Sequence, residues 1–152
     1  MLRVASIILV LALAGAPVAA IAAGSSSSST PTDSYKAAKD LIDDDEYAKA
    51  IPLLEKSIKE KGEYADALNL LGFSHRKLGE MDEAMTYYTK ALSMEPKHLG
   101  ANEYMGELYL EMNDLPKAEE RLAVLKNACG DCDEYEDLEG DIKDYKDEHG
   151  LS

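Results

Sequence analysis

The most reactive side chains in this sequence are two thiols, Cys129 and Cys132, separated by Gly130 and Asp131. Two thiols at that spacing can close a disulfide, work as a redox couple or donate two ligands to zinc. A redox couple of this kind sits at a helix N-terminus within a βαβ unit, and no strand pattern surrounds these residues. Zinc needs two further ligands, and the candidate imidazoles, His98 and His149, belong to no recognisable pair. An oxidising compartment favours a structural disulfide that pins the hinge before the last helix, with free thiols or an intermolecular bridge as the other outcomes. Its short loop places the entropic gain at the low end of about 0–5 kcal/mol. The run Asp43-Asp44-Asp45-Glu46 has oxygens for calcium but lacks the alternating acids and glycine turn of such a loop. It reads instead as solvated acids at a helix N-terminus. No catalytic triad, phosphate loop or paired catalytic carboxylate is visible, which predicts a protein that is not an enzyme and uses no cofactor and no metal.

The 152 residues carry 16 Lys+Arg against 30 Asp+Glu, a net charge of −14. Nucleic acid is therefore not expected as a partner, because phosphate contacts need clustered cations. Residues 131 to 152 hold ten acids and two lysines, a net of −8, so over half of the excess sits at the C-terminal end. Positions 1 to 32 hold a single charge, Arg3. Met1 to Ala23 runs from that charge through the apolar stretch Val4 to Leu13 to small residues after Pro17, the layout of a secretory signal. Residues 1–22 read as a signal peptide cut after Ala22, and 23–32, rich in serine, as a flexible linker. Export to a periplasmic or secreted location follows. The alternative is an uncleaved anchor, since the 20 uncharged residues from Val4 to Ala23 match the length that crosses a bilayer. Pro17 and the short apolar run weigh against it.

Positioning falls to elements that recur with a fixed period. In residues 65–98, Leu68, Leu71-Gly72, His75, Ala84, Tyr88, Ala91 and Pro96 form two amphipathic helical patterns joined by a turn at Gly79. Shifting by 34 in either direction repeats the register without a gap: Met105-Gly106, Tyr109, Ala118 and Leu122 after it, Ala37-Ala38, Leu41, Ala50 and Leu54 before it. This closely resembles the tetratricopeptide repeat (TPR). The resemblance implies an all-α fold, with a TPR domain at 33–132 followed by an acidic C-terminal capping helix and tail at 133–152. The domain would be a right-handed α-solenoid of three helix-turn-helix units, at 31–64, 65–98 and 99–132. Ser34, Ser57 and Asn102, and Gly62 and Gly130 in place of proline, depart from the pattern. Small residues at positions 8 and 20 allow tight helix crossings, and the glycines 72 and 106 point to the tightest. Tyr135, Leu138, Ile142 and Tyr145 give the cap one apolar face. The stretch from Cys129 to Tyr135 also resembles the ends of some small exported bacterial repeat proteins.

The family resemblance implies a concave groove lined by the first (A) helix of each unit. Its positions here include Lys39, Asn69, Phe73, Arg76, Lys77, Glu103 and Glu107. Phe73, the sole phenylalanine, is expected to stand partly exposed as an apolar anchor, or else to pack on the neighbouring A helix. Lys39, Asn69, Arg76 and Lys77 are expected to form a positive spot opposite a wall of Glu103, Glu107 and Glu111. Members that clamp a chaperone's C-terminal carboxylate use Lys and Arg in the third unit, where this chain has Glu103 and Glu107. The function expected is a protein–protein interaction adaptor or scaffold in the cell envelope, with a protein or peptide as partner. The alternatives are a thiol redox protein using Cys129 and Cys132, a self-assembling structural protein, and solvated helix faces with no ligand. Contact with a membrane is expected only through an uncleaved signal.

Overall fold

The computed structural model describes residues 31–151; the expected signal peptide at 1–22 and residues 23–30 of the expected linker lie outside the described residues. Seven helices run through the described part: α1 Pro31–Asp43, α2 Tyr47–Lys61, α3 Ala65–Lys77, α4 Met81–Met94, α5 Leu99–Glu111, α6 Leu115–Ala128 and α7 Asp133–His149. No strand occurs among the described residues, and no helix there is long and apolar enough to cross a membrane. Helices α1, α3, α5 and α7 start at Pro31, Ala65, Leu99 and Asp133, and α2, α4 and α6 at Tyr47, Met81 and Leu115, the same constant step in both series. Helix α7 is thus in the register of an A helix. Residues 31 and 32, expected in the linker, are already helical, and proline suits a first helical position because its absent N–H needs no partner there.

Each of the first three A helices ends at one residue of positive φ: Asp45 at 60°, Gly79 at 80° and Asn113 at 59°. The next amide reaches back five residues, Glu46 to Leu41, Glu80 to His75 and Asp114 to Tyr109, at 2.8, 2.9 and 2.8 Å. These bonds satisfy carbonyls that the helix end would otherwise leave open. The acids at 43–46 are exposed in the first such turn, where the Asp45 carboxylate accepts from the Tyr47 hydroxyl. Among the described residues no three His, Cys, Asp or Glu side chains converge as a metal site.

Packing follows the small residues. A Cβ placed on Gly72 would lie 2.6 Å from the Tyr88 ring, so α4 rests on the bare backbone of α3. Gly106 makes its close approach to Leu138 of α7 rather than to its own partner helix α6. The departures from the apolar pattern are polar substitutes. Ser57 bonds the Tyr64 hydroxyl at 2.7 Å. Fully buried Asn102 donates to the carbonyls of Pro96 and His98 at 3.2 and 2.9 Å and accepts from Arg121 at 3.3 Å, tying α5 to the preceding loop and to α6.

Helix α7 packs on α5 and α6, burying Leu138 and Ile142 against Ala118 and Leu125. Tyr135 joins that cluster. Tyr145, expected on the same face, turns instead toward the groove: its hydroxyl donates to Asn113 at 3.3 Å and its ring stacks on His149 at 4.0 Å. Gly140 is the equivalent of Gly106 one repeat further on, and a Cβ there would meet nothing within 4 Å. Cys129 ends α6 and Cys132 precedes α7, with their Cα atoms 5.7 Å apart and their sulfurs bonded.

Candidate functional site

Successive A helices line one face, and two cavities lie along it. The first, about 380 Å³, is bounded by Lys39, Ile42 and Asp43 of α1, Asp45 of the turn after it, Tyr47 of α2, Leu70 and Phe73 of α3 and Tyr104 of α5. The Phe73 ring lies 4.7 Å from Tyr104 and 5.8 Å from Tyr47, so three aromatic rings in tilted and edge-on contact form the floor of this compartment. Phe73 is therefore half-buried against the neighbouring A helix, the second of its two expected states, while one side still faces the cavity.

The second cavity, about 360 Å³, lies between α3, α5 and α7 and is lined by Arg76, Glu107, Glu111, Asp141, Asp144 and Tyr145, among others. Arg76 forms the partition between the two. It is only 6% exposed, its Nη2 meets Glu107 at 2.5 Å, and its Nη1 meets Glu111 at 2.6 Å. Its guanidinium carbon is 5.6 Å from the Phe73 ring centre and 5.9 Å from that of Tyr104. Burial alone would lower the Arg76 pKa, but Glu107 and Glu111 outweigh burial and raise it. The guanidinium is therefore a fixed charge.

The expected positive spot does not assemble. Asn69 is buried, with its amide 3.0 Å from the position of a Cβ on Gly100, and Arg76 is held by the glutamates it was expected to face. Lys39 and Lys77 stay exposed, Lys77 with its ammonium 5.7 Å from the Phe73 ring. A glutamate pair four residues apart on one helix captures an arginine from the adjacent repeat because a buried cation requires paired carboxylates.

Of the three glutamates expected as an acidic wall, Glu107 and Glu111 line the second cavity, while Glu103 lines neither. Glu103 is 7% exposed and makes no hydrogen bond or ion pair among the described residues. Burial, then the charges of Glu107, Asp137 and Glu134, pushes its pKa up to about 8. Burial likewise raises Glu107 against the opposing pull of Arg76, and raises Asp141, which Asp137 and Asp144 raise further. Asp137, Asp141, Asp144 and Tyr145 were absent from the sequence-based site. Carrying the repeat register one step beyond residue 132 would have found them, since they occupy the groove positions of an A helix starting at Asp133. Tyr47 and Tyr104 lie off those positions and carried no such signal.

No curated protein sequence matches the chain. Among solved structures, a TPR protein of Thermus thermophilus superposes with a TM-score of 0.73 at 18% identity, covering 80% of this chain and 68% of that one. The type III secretion chaperone SycD of Yersinia enterocolitica, in complex with a peptide of the translocator YopD, gives 0.65 at 17% identity, covering 77% and 89%. The second TPR domain of human RPAP3, in complex with the HSP70 peptide SGPTIEEVD, gives 0.62 at 17% identity, covering 74% and 98%. At these identities the likeness is one of fold. Two tetratricopeptide repeat models match in sequence, one over residues 35–98 and the other over 75–142. With helices that keep one phase from α1 to α7 and those two overlapping matches, the chain belongs to the tetratricopeptide repeat family.

Proposed function

We propose that this protein is a non-catalytic adaptor or scaffold of the cell envelope that holds a peptide, or an extended segment of a partner protein, along its concave face. The observation that carries the reading is the pair of cavities in line along that face, one with an aromatic floor and a mixed-charge rim and one mainly acidic, divided by Arg76. A row of unlike compartments suits a chain with unlike side chains better than one small molecule. The peptide complexes of SycD and RPAP3 support this class of ligand. The signal-like residues 1–22 support export, and the Cys129–Cys132 pair suits an oxidising compartment, where it would brace α7 against α6.

The test is site-specific crosslinking in the native cell from a photoreactive residue placed at Lys39, compared between the parent, Phe73→Ala and Lys77→Glu. Loss of crosslinked partners in either variant, with circular dichroism unchanged, is the expected result. If both folded variants retain every partner, the concave face is not the binding face. Export is checked separately by cell fractionation and N-terminal sequencing. A mature chain starting at Ala23 is expected, and an intact chain in the cytoplasm overturns that part of the reading.

A further inference from the structure

The first cavity joins an aromatic floor to a rim of charges that the described residues leave unused. Lys39 and Asp43 stand one turn apart on α1, at a spacing where opposite charges can pair. Neither forms an ion pair or hydrogen bond among the described residues, and both face the same opening. Asp45, beyond the end of the helix, accepts the Tyr47 hydroxyl, which fixes that ring edge-on to Phe73 and leaves the carboxylate without a cation. The mouth of the cavity thus holds one ammonium and two carboxylates, while Ile42 and Leu70 close its sides.

Three kinds of side chain fit against aromatic walls: a cation, an aliphatic chain or another ring. The rings already carry cations, since the Arg76 guanidinium lies 5.6 Å from Phe73 and 5.9 Å from Tyr104, and the Lys77 ammonium lies 5.7 Å from Phe73. With Lys39 at the mouth as well, a further cation would enter among three like charges. An aliphatic chain would fill the space but forgo the edge-on contacts of a ring and leave the rim unbonded. A ring with a polar tip uses both parts of the site. It packs on Tyr47, Phe73 and Tyr104, and its tip reaches the rim: a tyrosine O–H or tryptophan N–H donates to Asp43 or Asp45, and a tyrosine oxygen can also accept from Lys39.

This chain does not supply such a ring. Residues 1–30 contain no Tyr, Phe or Trp, and the whole sequence has no Trp. Each of the nine tyrosines and Phe73 is buried or partly buried, so a second copy has no exposed aromatic side chain to offer. The volume of about 380 Å³ stands at the low end of ligand sites, roughly 300–1,000 Å³, and suits one large side chain with its own stretch of backbone. We propose that the cavity between α1, α3 and α5 takes one tyrosine or tryptophan side chain of a different protein, ring on the aromatic floor and polar tip on the rim. This rests on the concave face being the binding face and names the side chain that its first compartment selects.

The probes are blocked pentapeptides Gly-Gly-X-Gly-Gly with X as Trp, Tyr, Phe, Leu or Arg, titrated to millimolar concentration into the purified protein and followed by the backbone amide shifts of Lys39, Leu70 and Phe73. Trp and Tyr should bind about threefold or more tighter than Phe, and about tenfold tighter than Leu or Arg. The double variant Lys39→Met with Asp43→Asn, both at exposed positions, should bring the Tyr peptide to the level of Phe without changing Phe itself. Thermal melting checks that this variant remains folded. An Arg peptide as tight as Trp overturns the proposal in favour of a cation, and a Leu peptide as tight as Trp overturns it in favour of unselective apolar contact. A preference for Tyr over Phe that survives in the double variant overturns the role of the rim. If no peptide shifts these amides while Phe73→Ala still loses its crosslinked partners, the adaptor reading stands and the aromatic residue falls.

Discussion

Leu138 occupies the space that a side chain on Gly106 would need, since a Cβ added there would lie 2.5 Å from Leu138 Cδ2. The last helix therefore rests on the bare backbone of α5. Gly106→Ala should lower stability by about 1–3 kcal/mol, even though alanine favours a helix over glycine by about 1 kcal/mol. Gly140→Ala, at the equivalent position with open space around it, should raise stability by up to about 1 kcal/mol. Urea unfolding of both variants measures this, and effects of the same sign would show that α7 is not seated on Gly106.

Arg76 is a structural cation. Arg76→Met should cost about 3–5 kcal/mol at about pH 7.5, because Glu107 would be left charged and half-buried without its partner. The loss should shrink near pH 5. Burial has already raised the Glu107 pKa, and without Arg76 it rises further, so the carboxyl takes up a proton and the uncompensated charge disappears. Chemical denaturation at the two pH values decides, and a loss independent of pH would place the role of Arg76 in packing alone.

Glu103 makes stability depend on pH with a definite sign. Its carboxyl ionises at about 8 in the folded protein against 4.5 for the free side chain. Between those values the folded state holds a proton that the unfolded chain has released, so the contribution of this group is full below about 4.5 and falls as pH rises toward 8. Burial is the main cause; Glu107, Asp137 and Glu134 act in the same direction, and Arg76 opposes them. Glu103→Gln should stabilise the protein by about 1–3 kcal/mol at pH 8 and flatten the decline of the melting point between pH 5 and 8. An unaltered decline would show that Glu103 titrates as an exposed acid.

Asp45 and Gly79 hold the same left-handed conformation at equivalent turns, φ 60° and 80°, but only one is a glycine. Gly79→Ala should destabilise by about 1 kcal/mol, and Asp45→Gly should be neutral or stabilising by up to about 1 kcal/mol, less the lost bond from Tyr47. Thermal melts of the two variants, compared with the parent, test the equivalence of the turns.

Reduction of the Cys129–Cys132 bond should cost no more than about 2 kcal/mol, the loop-entropy value for so short a ring. Leu138 and Ile142 remain buried without it, so the helical circular dichroism should persist in dithiothreitol. Loss of the α7 signal on reduction would assign the bond a larger part in docking.

Fold and phasing were legible because they depend on residues repeated within each unit. Gly72 and Tyr88 meet inside one hairpin, and the pattern that places them recurs from unit to unit. Groove membership was legible as position, but exposure was not. Arg76 and Asn69 hold groove positions, yet each is buried by a residue from the following repeat: Glu107 and Glu111 for the first, the backbone at Gly100 for the second. Which acid captures which base is decided by distance in space. The acids of α7 escape a sequence reading for a different reason. A helix read as a solubilising cap carries no inward-facing positions, although Asp137 and Asp141 occupy them by simple counting.

Helix α7 supplies one wall of the cavity that it shares with Arg76, Glu107 and Glu111, while packing on α5 and α6. In a solenoid each layer is held by its neighbours, and local opening begins where the fewest buried contacts hold a helix. Whatever occupies that cavity also bridges α5 and α7, and so acts as a clasp between them. Occupancy should then register as slowed amide exchange across residues 133–149, with the helices before it unchanged. Since α7 forms one wall of that cavity, occupancy of the cavity and closure of α7 on α5 are linked, and each favours the other.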